Sequence, residues 1–178
     1  KTKVTMKKPV TKKVTKRKPL TPAQMRVAIA KDVIKQIIAR KMIINNGVYF
    51  RPTVADQHVN KAVANEKGFQ CRVCAVGAAI VSGIRLFNEV EFRVADMGVT
   101  NSFAAIQNWF RPSQAALIEA GLEGEASRAI YRHCDVTVSK GDMKRADAFY
   151  WKHQNMAPED VVIAIYKNII RNKGEFKP

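Results

Sequence analysis

Apolar positions first fall into helical register between Thr21 and Arg40, where Ala30, Val33, Ile34, Ile37 and Ile38 share one stripe. The start is signalled by "TPAQ": Thr21 suits an N-cap, Pro22 the first helical position and Gln24 the reciprocal capping side chain. "NNG" at 45–47 stops the chain, and the "VYF" that follows predicts a short strand. A weaker helix is expected over Val54–Ala64, and a third over roughly Cys71–Asn88. Beyond "ADMGVT" the pattern breaks into shorter helical pieces: Ser102–Phe110, one after Pro112 closed by Gly121, and Glu123–His133. "DVTVSKGD" reads as a loop or short edge strand, and Asp142–Trp151 as a helix. The last helix is the clearest. It has Pro158 at its start, Glu159 and Asp160 in its first turn, a stripe of Val161, Val162, Ile165, Ile169 and Ile170, and then basic residues before Gly174. No repeat of solenoid period is visible. The pattern predicts an all-α domain over residues 21–178 with little or no sheet, preceded by a separate arm over residues 1–20.

Charge changes the picture most. The chain has 31 Lys and Arg against 15 Asp and Glu, a formal net charge of +16. Lys1, Lys3, Lys7, Lys8, Lys12, Lys13, Lys16, Arg17 and Lys18 crowd the arm, which has no acid and therefore carries more than half of that net charge. Pro9 and Pro19 interrupt any helix there, and so polar a segment buries too little apolar surface to offset its chain entropy. It is expected to be disordered when alone. Spaced cations on such an arm suit a polyphosphate, because each close phosphate contact releases condensed counterions. These cations are the expected nucleic-acid-binding residues, with DNA and RNA both open. A solvated tail, or an arm docked on an acidic protein surface, is the plainer reading.

The uncharged run Val73–Ile84 lies between Arg72 and Arg85 and is too short for the roughly 20 residues of a membrane span. No membrane partner is expected. The leading segment lacks the apolar core of a secretory signal, and the three cysteines are an odd number, two of them too close in sequence to read as a disulfide framework. A cytoplasmic or virion location follows.

Cys71 and Cys74 raise the question of chemistry. On a helix Cys74, Ala78 and Ser82 form one ridge and Ala75, Ala79 and Gly83 another, a small-residue surface that lets a neighbour come close. On that reading the sulfurs are packing. A zinc site would have to recruit Cys71, Cys74, Cys134 and His153, without the paired spacing such sites use. A thioredoxin-like redox pair lacks its parallel-sheet context. A cysteine hydrolase would use Cys71 or Cys74 with His133 or His153 as base, and Asn155 or Asp135 to orient the ring. No metal and no cofactor are expected.

The segments "CAVGAAIVSGIRLFN", "FAAIQNWF" and "AIYKNIIRNKGEFKP" resemble small bacteriophage and bacterial proteins that share a Cys-x-x-Gly-Ala helix. The resemblance implies a phage or bacterial setting and no particular chemistry, and the basic arm lies outside it. Two further places join aromatics to cations: Trp109, Phe110 and Arg111, and Phe149 with Tyr150, Trp151, Lys152 and His153. Zinc-finger spacing, RNA-recognition aromatics and a Gly-rich phosphate loop are absent from the sequence. The expected function is therefore non-enzymatic nucleic-acid binding through the arm. The alternatives are a structural component of a capsid or ribosome-like assembly, with protein partners, and the cysteine hydrolase.

Overall fold

A computed structural model describes residues 19–46, 51–52, 58–87, 92–93, 104–124 and 136–178. In chain order the elements are α1 (Pro22–Ile38), β1 (Met42–Ile44), β2 (Arg51–Pro52), β3 (His58–Val59), α2 (Lys61–Ala64), β4 (Cys71–Val73), α3 (Ala75–Phe87), β5 (Phe92–Arg93), α4 (Pro112–Glu123), α5 (Lys140–His153) and α6 (Pro158–Arg171). The fold is mainly helical, as the periodicity predicts, but it is not strictly all-α. A small mixed sheet has the order β1-β4-β2, with β1 parallel and β2 antiparallel to β4, and β3 pairs antiparallel with β5.

The correction falls on Cys71–Val73, expected as the first turn of a helix. Here it is the central strand, with Cys71 and Val73 buried and Arg72 turned outward, the alternation a half-buried strand requires. Residues 54–57 of the expected Val54–Ala64 helix are not described, His58–Val59 is strand β3, and the helical part is α2 alone. Gly121 does not close α4, which continues to Glu123 and ends at Gly124, where φ is +61°. A Cβ at Gly124 would also sit 2.8 Å from the Tyr150 ring, so this glycine lets α5 close over the end of α4. The expected "VYF" strand and Glu123–His133 helix fall largely outside the described residues.

α1 starts as its sequence dictates. Thr21 Oγ1 accepts from the Gln24 amide and Gln24 Oε1 accepts from the Thr21 amide, a complete capping box. Its buried face is Ile29, Ala30, Val33, Gln36 and Ile37, whereas Ile38 lies exposed.

α3 is enclosed: every residue from Ala75 to Ile84 is buried, as expected of a helix that is apolar all round. Its small residues admit both α1 and α4, and the rim of the Trp109 indole lies where a Cβ on Gly83 would be, 2.5 Å away. The amides that open α3 are satisfied from inside. Gly77 donates to Cys74 Sγ at 3.4 Å, and Val76 donates to the Glu119 carboxylate of α4 at 3.1 Å. The Tyr166 hydroxyl of α6 donates to the Ala75 carbonyl at 2.6 Å. At the other end Lys61 Nζ donates to the Leu86 carbonyl and Asn65 Nδ2 to the Arg85 carbonyl. Arg85 itself pairs with Asp32 of α1 at 3.0 Å and donates to the Ala64 carbonyl. Burial, with the nearby Glu123 charge, pushes the Glu119 carboxyl from 4.5 to about 8, so near neutrality it is mostly an uncharged acid.

Two outcomes follow for stability. Gly83→Ala forces a methyl into the Trp109 ring and is expected to cost about 1–3 kcal/mol in urea unfolding. Pairing it with Trp109→Phe, which shrinks the ring and deletes an indole N–H without a partner among the described residues, restores part of that deficit. For Glu119 the raised carboxyl pKa means that the native state holds a proton the unfolded chain has released. Stability therefore falls as pH rises from about 5 to about 8, by on the order of 4 kcal/mol, and is level below that window. Glu119→Gln keeps an acceptor for the Val76 amide and has no proton to lose. Its denaturant midpoint should be nearly flat across the same window, and a slope equal to that of the parent protein would contradict the assignment.

Candidate nucleic-acid interface

Consecutive helices α5 and α6, joined by residues 154–157, lean on different neighbours: α5 packs chiefly on α4, and α6 on α1. Between them a groove of about 640 Å³ remains open. Each helix offers it one face at the same spacing. From α5 come Arg145, Ala148, Phe149 and Lys152, and from α6 come Ala164, Lys167, Asn168 and Arg171. Alanine on each wall keeps the floor open, and the longer residues put cations along the rim. His153, Lys177 and Pro178 complete the lining, which among the described residues contains no Asp or Glu side chain.

The third wall is fixed by an amide. Asn168, buried on α6, donates through Nδ2 to the Lys177 carbonyl at 2.7 Å, and its Oδ1 accepts from the Lys177 amide at 2.9 Å. Phe176, also buried, donates its amide to Gln114 Oε1 at 2.7 Å and sets its ring edge-on to Phe149, 5.3 Å between centroids. Phe149 in turn stacks on His153 at 4.1 Å, and the Phe149 carbonyl accepts from His153 Nδ1 at 2.7 Å. The aromatic floor is thereby held in one arrangement.

Part of the rim charge is neutralised internally. Arg145 pairs with Asp142, and Lys177 with Glu175 at 3.3 Å. Among the described residues no carboxylate pairs with Lys152, Lys167 or Arg171, which are all exposed. Like charges across an open groove repel one another, and an anion set between them relieves that repulsion.

The expected site residues are distributed unevenly over this surface. Lys1, Lys3, Lys7, Lys8, Lys12, Lys13, Lys16, Arg17 and Lys18 lie outside the described residues. Of the two aromatic stretches, Phe149, Lys152 and His153 come together in the groove, while Trp151 stands on an adjoining face of α5, 61% exposed. The other stretch is core: Trp109 and Phe110 are buried, and Arg111 pairs with Glu175 at 3.2 Å. Arg145, Lys167, Arg171 and Lys177 were not singled out by the sequence. Their signal is a cation period beside an apolar stripe, which on one helix alone reads as an ordinary solvated face.

The thiols are placed as interior groups. Cys71 Sγ lies 3.8 Å from the Lys41 carbonyl, and burial pushes its pKa up to about 12 against the opposing pull of Arg85. Cys74 is fully enclosed as the N-cap of α3, and burial, reinforced by Glu119, raises its pKa well above the usual thiol value. A thiol held in its neutral form is a poor nucleophile. No contact joins Cys74 to His153, whose ring rests on Phe149; Asn155 is exposed in the turn after α5, and His133, Cys134 and Asp135 lie outside the described residues. Among the described residues no group of three or more His, Cys, Asp or Glu side chains is placed to hold a metal ion. No helix among them is long and apolar enough to cross a membrane. Compared with protein-family models, curated proteins and solved structures, the chain matches none.

Proposed function

We propose that this protein binds nucleic acid through its phosphates, with the α5–α6 groove as the folded part of the contact surface and the lysine-rich leading arm as its extension. The observation that carries the reading is the groove rim, where Lys152, Lys167 and Arg171 face solvent without a carboxylate partner among the described residues. Cations at helical spacing on two facing walls can follow a phosphate backbone, whereas one exposed lysine cannot. The arm adds nine cations without an acid, in a segment of the chain distinct from the groove. Binding of this kind is sequence-tolerant, since phosphates position a polymer and base edges specify it. A catalytic role draws no support from Cys74, enclosed and neutral as it is.

The test is a salt titration of affinity for DNA and for RNA. Lys167→Glu with Arg171→Glu is expected to weaken binding at least tenfold at low salt, and to lower the slope of log K against log salt by about 0.9 for each duplex phosphate that is no longer neutralised. Deleting residues 1–18 should reduce the slope further. Unchanged affinity and slope in the charge-reversal variant would overturn the role of the groove, and retention of neither polymer by the parent protein would overturn the reading as a whole.

A further inference from the structure

We propose that the polymer taken by the α5–α6 groove is single-stranded, with its phosphates on the rim cations and a base stacked on Trp151; the inference rests on the nucleic-acid reading of that groove. The two tryptophans have opposite placements. Trp109 is buried against Gly83, whereas Trp151 is 61% exposed and its one ring partner among the described residues is Tyr150, edge-on at 5.4 Å. Much of a large indole is thereby left to solvent on a helix whose exposed charged residues, Lys140, Lys144, Arg145 and Lys152, are all cations.

Two of those cations lie near the indole along the helix. Lys152 is its chain neighbour and lines the groove, and Lys144 lies two turns earlier on the same side of α5, also exposed. Asp147, one turn before Trp151, is half-buried, with one carboxylate oxygen out of solvent. A backbone lying along Lys152, Lys167 and Arg171 therefore passes beside a free aromatic face. In a duplex each base is covered above and below by its neighbours, so such a face has nothing to stack on. In a single strand every base offers a π-face, and an aromatic beside a phosphate track is the pairing that sequence-tolerant single-strand binders use.

The experiment follows indole fluorescence of the full chain as it is titrated with an oligothymidylate, and separately with a mixed-sequence duplex of the same length. Because Trp109 is enclosed, quenching by a stacked base reports Trp151. The expected result is strong quenching by the single strand and little by the duplex. Trp151→Ala should lower single-strand affinity about tenfold while leaving duplex affinity and the salt slope unchanged, and Trp151→Phe should keep most of the affinity. An unaltered melting temperature in both variants shows that the weaker binding is not a failure of folding. Equal single-strand affinity in Trp151→Ala, or equal quenching by both polymers, overturns this inference and leaves phosphate binding standing. If the parent protein binds neither polymer, both fall. Quenching by polyglutamate as strong as by oligothymidylate would assign the surface to an acidic protein partner and overturn the proposal.

Discussion

A helix whose first turn is enclosed on every side has no water for the amides that open it, and much of the architecture of this protein is an answer to that constraint on α3. Its opening amides are taken by Cys74 and by Glu119, its closing carbonyls by Lys61 and Asn65, and the carbonyl of Ala75 accepts a further bond from Tyr166. Apart from Cys74, the N-cap of α3 itself, each of these side chains comes from another part of the fold, so satisfying α3 ties α2, α4 and α6 to it. Asp32, bridged to Arg85, adds α1. Removing Glu119 or Tyr166 would strand a polar group in the interior, at about 1–3 kcal/mol for a backbone amide.

The groove is a consequence of this arrangement. α6 is committed to α1 by its apolar stripe and to α3 by Tyr166, while α5 closes over α4 with Tyr150 against Gly124. What the two helices still turn toward each other is the alanine and Phe149 floor of the groove, with cations along its rim. The faces they turn toward each other can therefore be basic without disturbing the core, and Lys167 and Arg171 sit there beside an intact buried stripe of Val161, Val162, Ile165 and Ile169.

Much of the helical plan is legible in the sequence because it is written in local chemistry. Thr21, Pro22 and Gln24 cap α1 as their residue types predict, and Pro158 with Glu159 and Asp160 opens α6. The small residues of α3 announce a close approach, although what they admit includes an indole as well as helices. The strand at Cys71–Val73 is hidden because three residues show too little period to distinguish an alternating strand from the start of a helix, and the partners in β1 and β2 are remote in sequence. Gly121 misleads for a similar reason: a glycine in a helix tolerates close packing against Phe176, whereas the true stop at Gly124 is marked by backbone conformation. The groove is the least legible feature. Phe149, Lys152 and His153 stand out as an aromatic–basic run, but Lys167 and Arg171 acquire meaning only once α5 and α6 are known to face each other without touching closely. That fact belongs to α1 and α4.

The same divergence of α5 and α6 has a mechanical side. Each wall of the groove is anchored to a different helix, and those anchors meet only through the interior. A long anion that grips both rims would add a strut across the outside and close a ring of linked elements that is otherwise open at one point. Separating either wall would then require breaking the strut as well as the interior anchor, so occupancy would slow amide hydrogen exchange in α5 and α6 together, including at residues the anion never reaches.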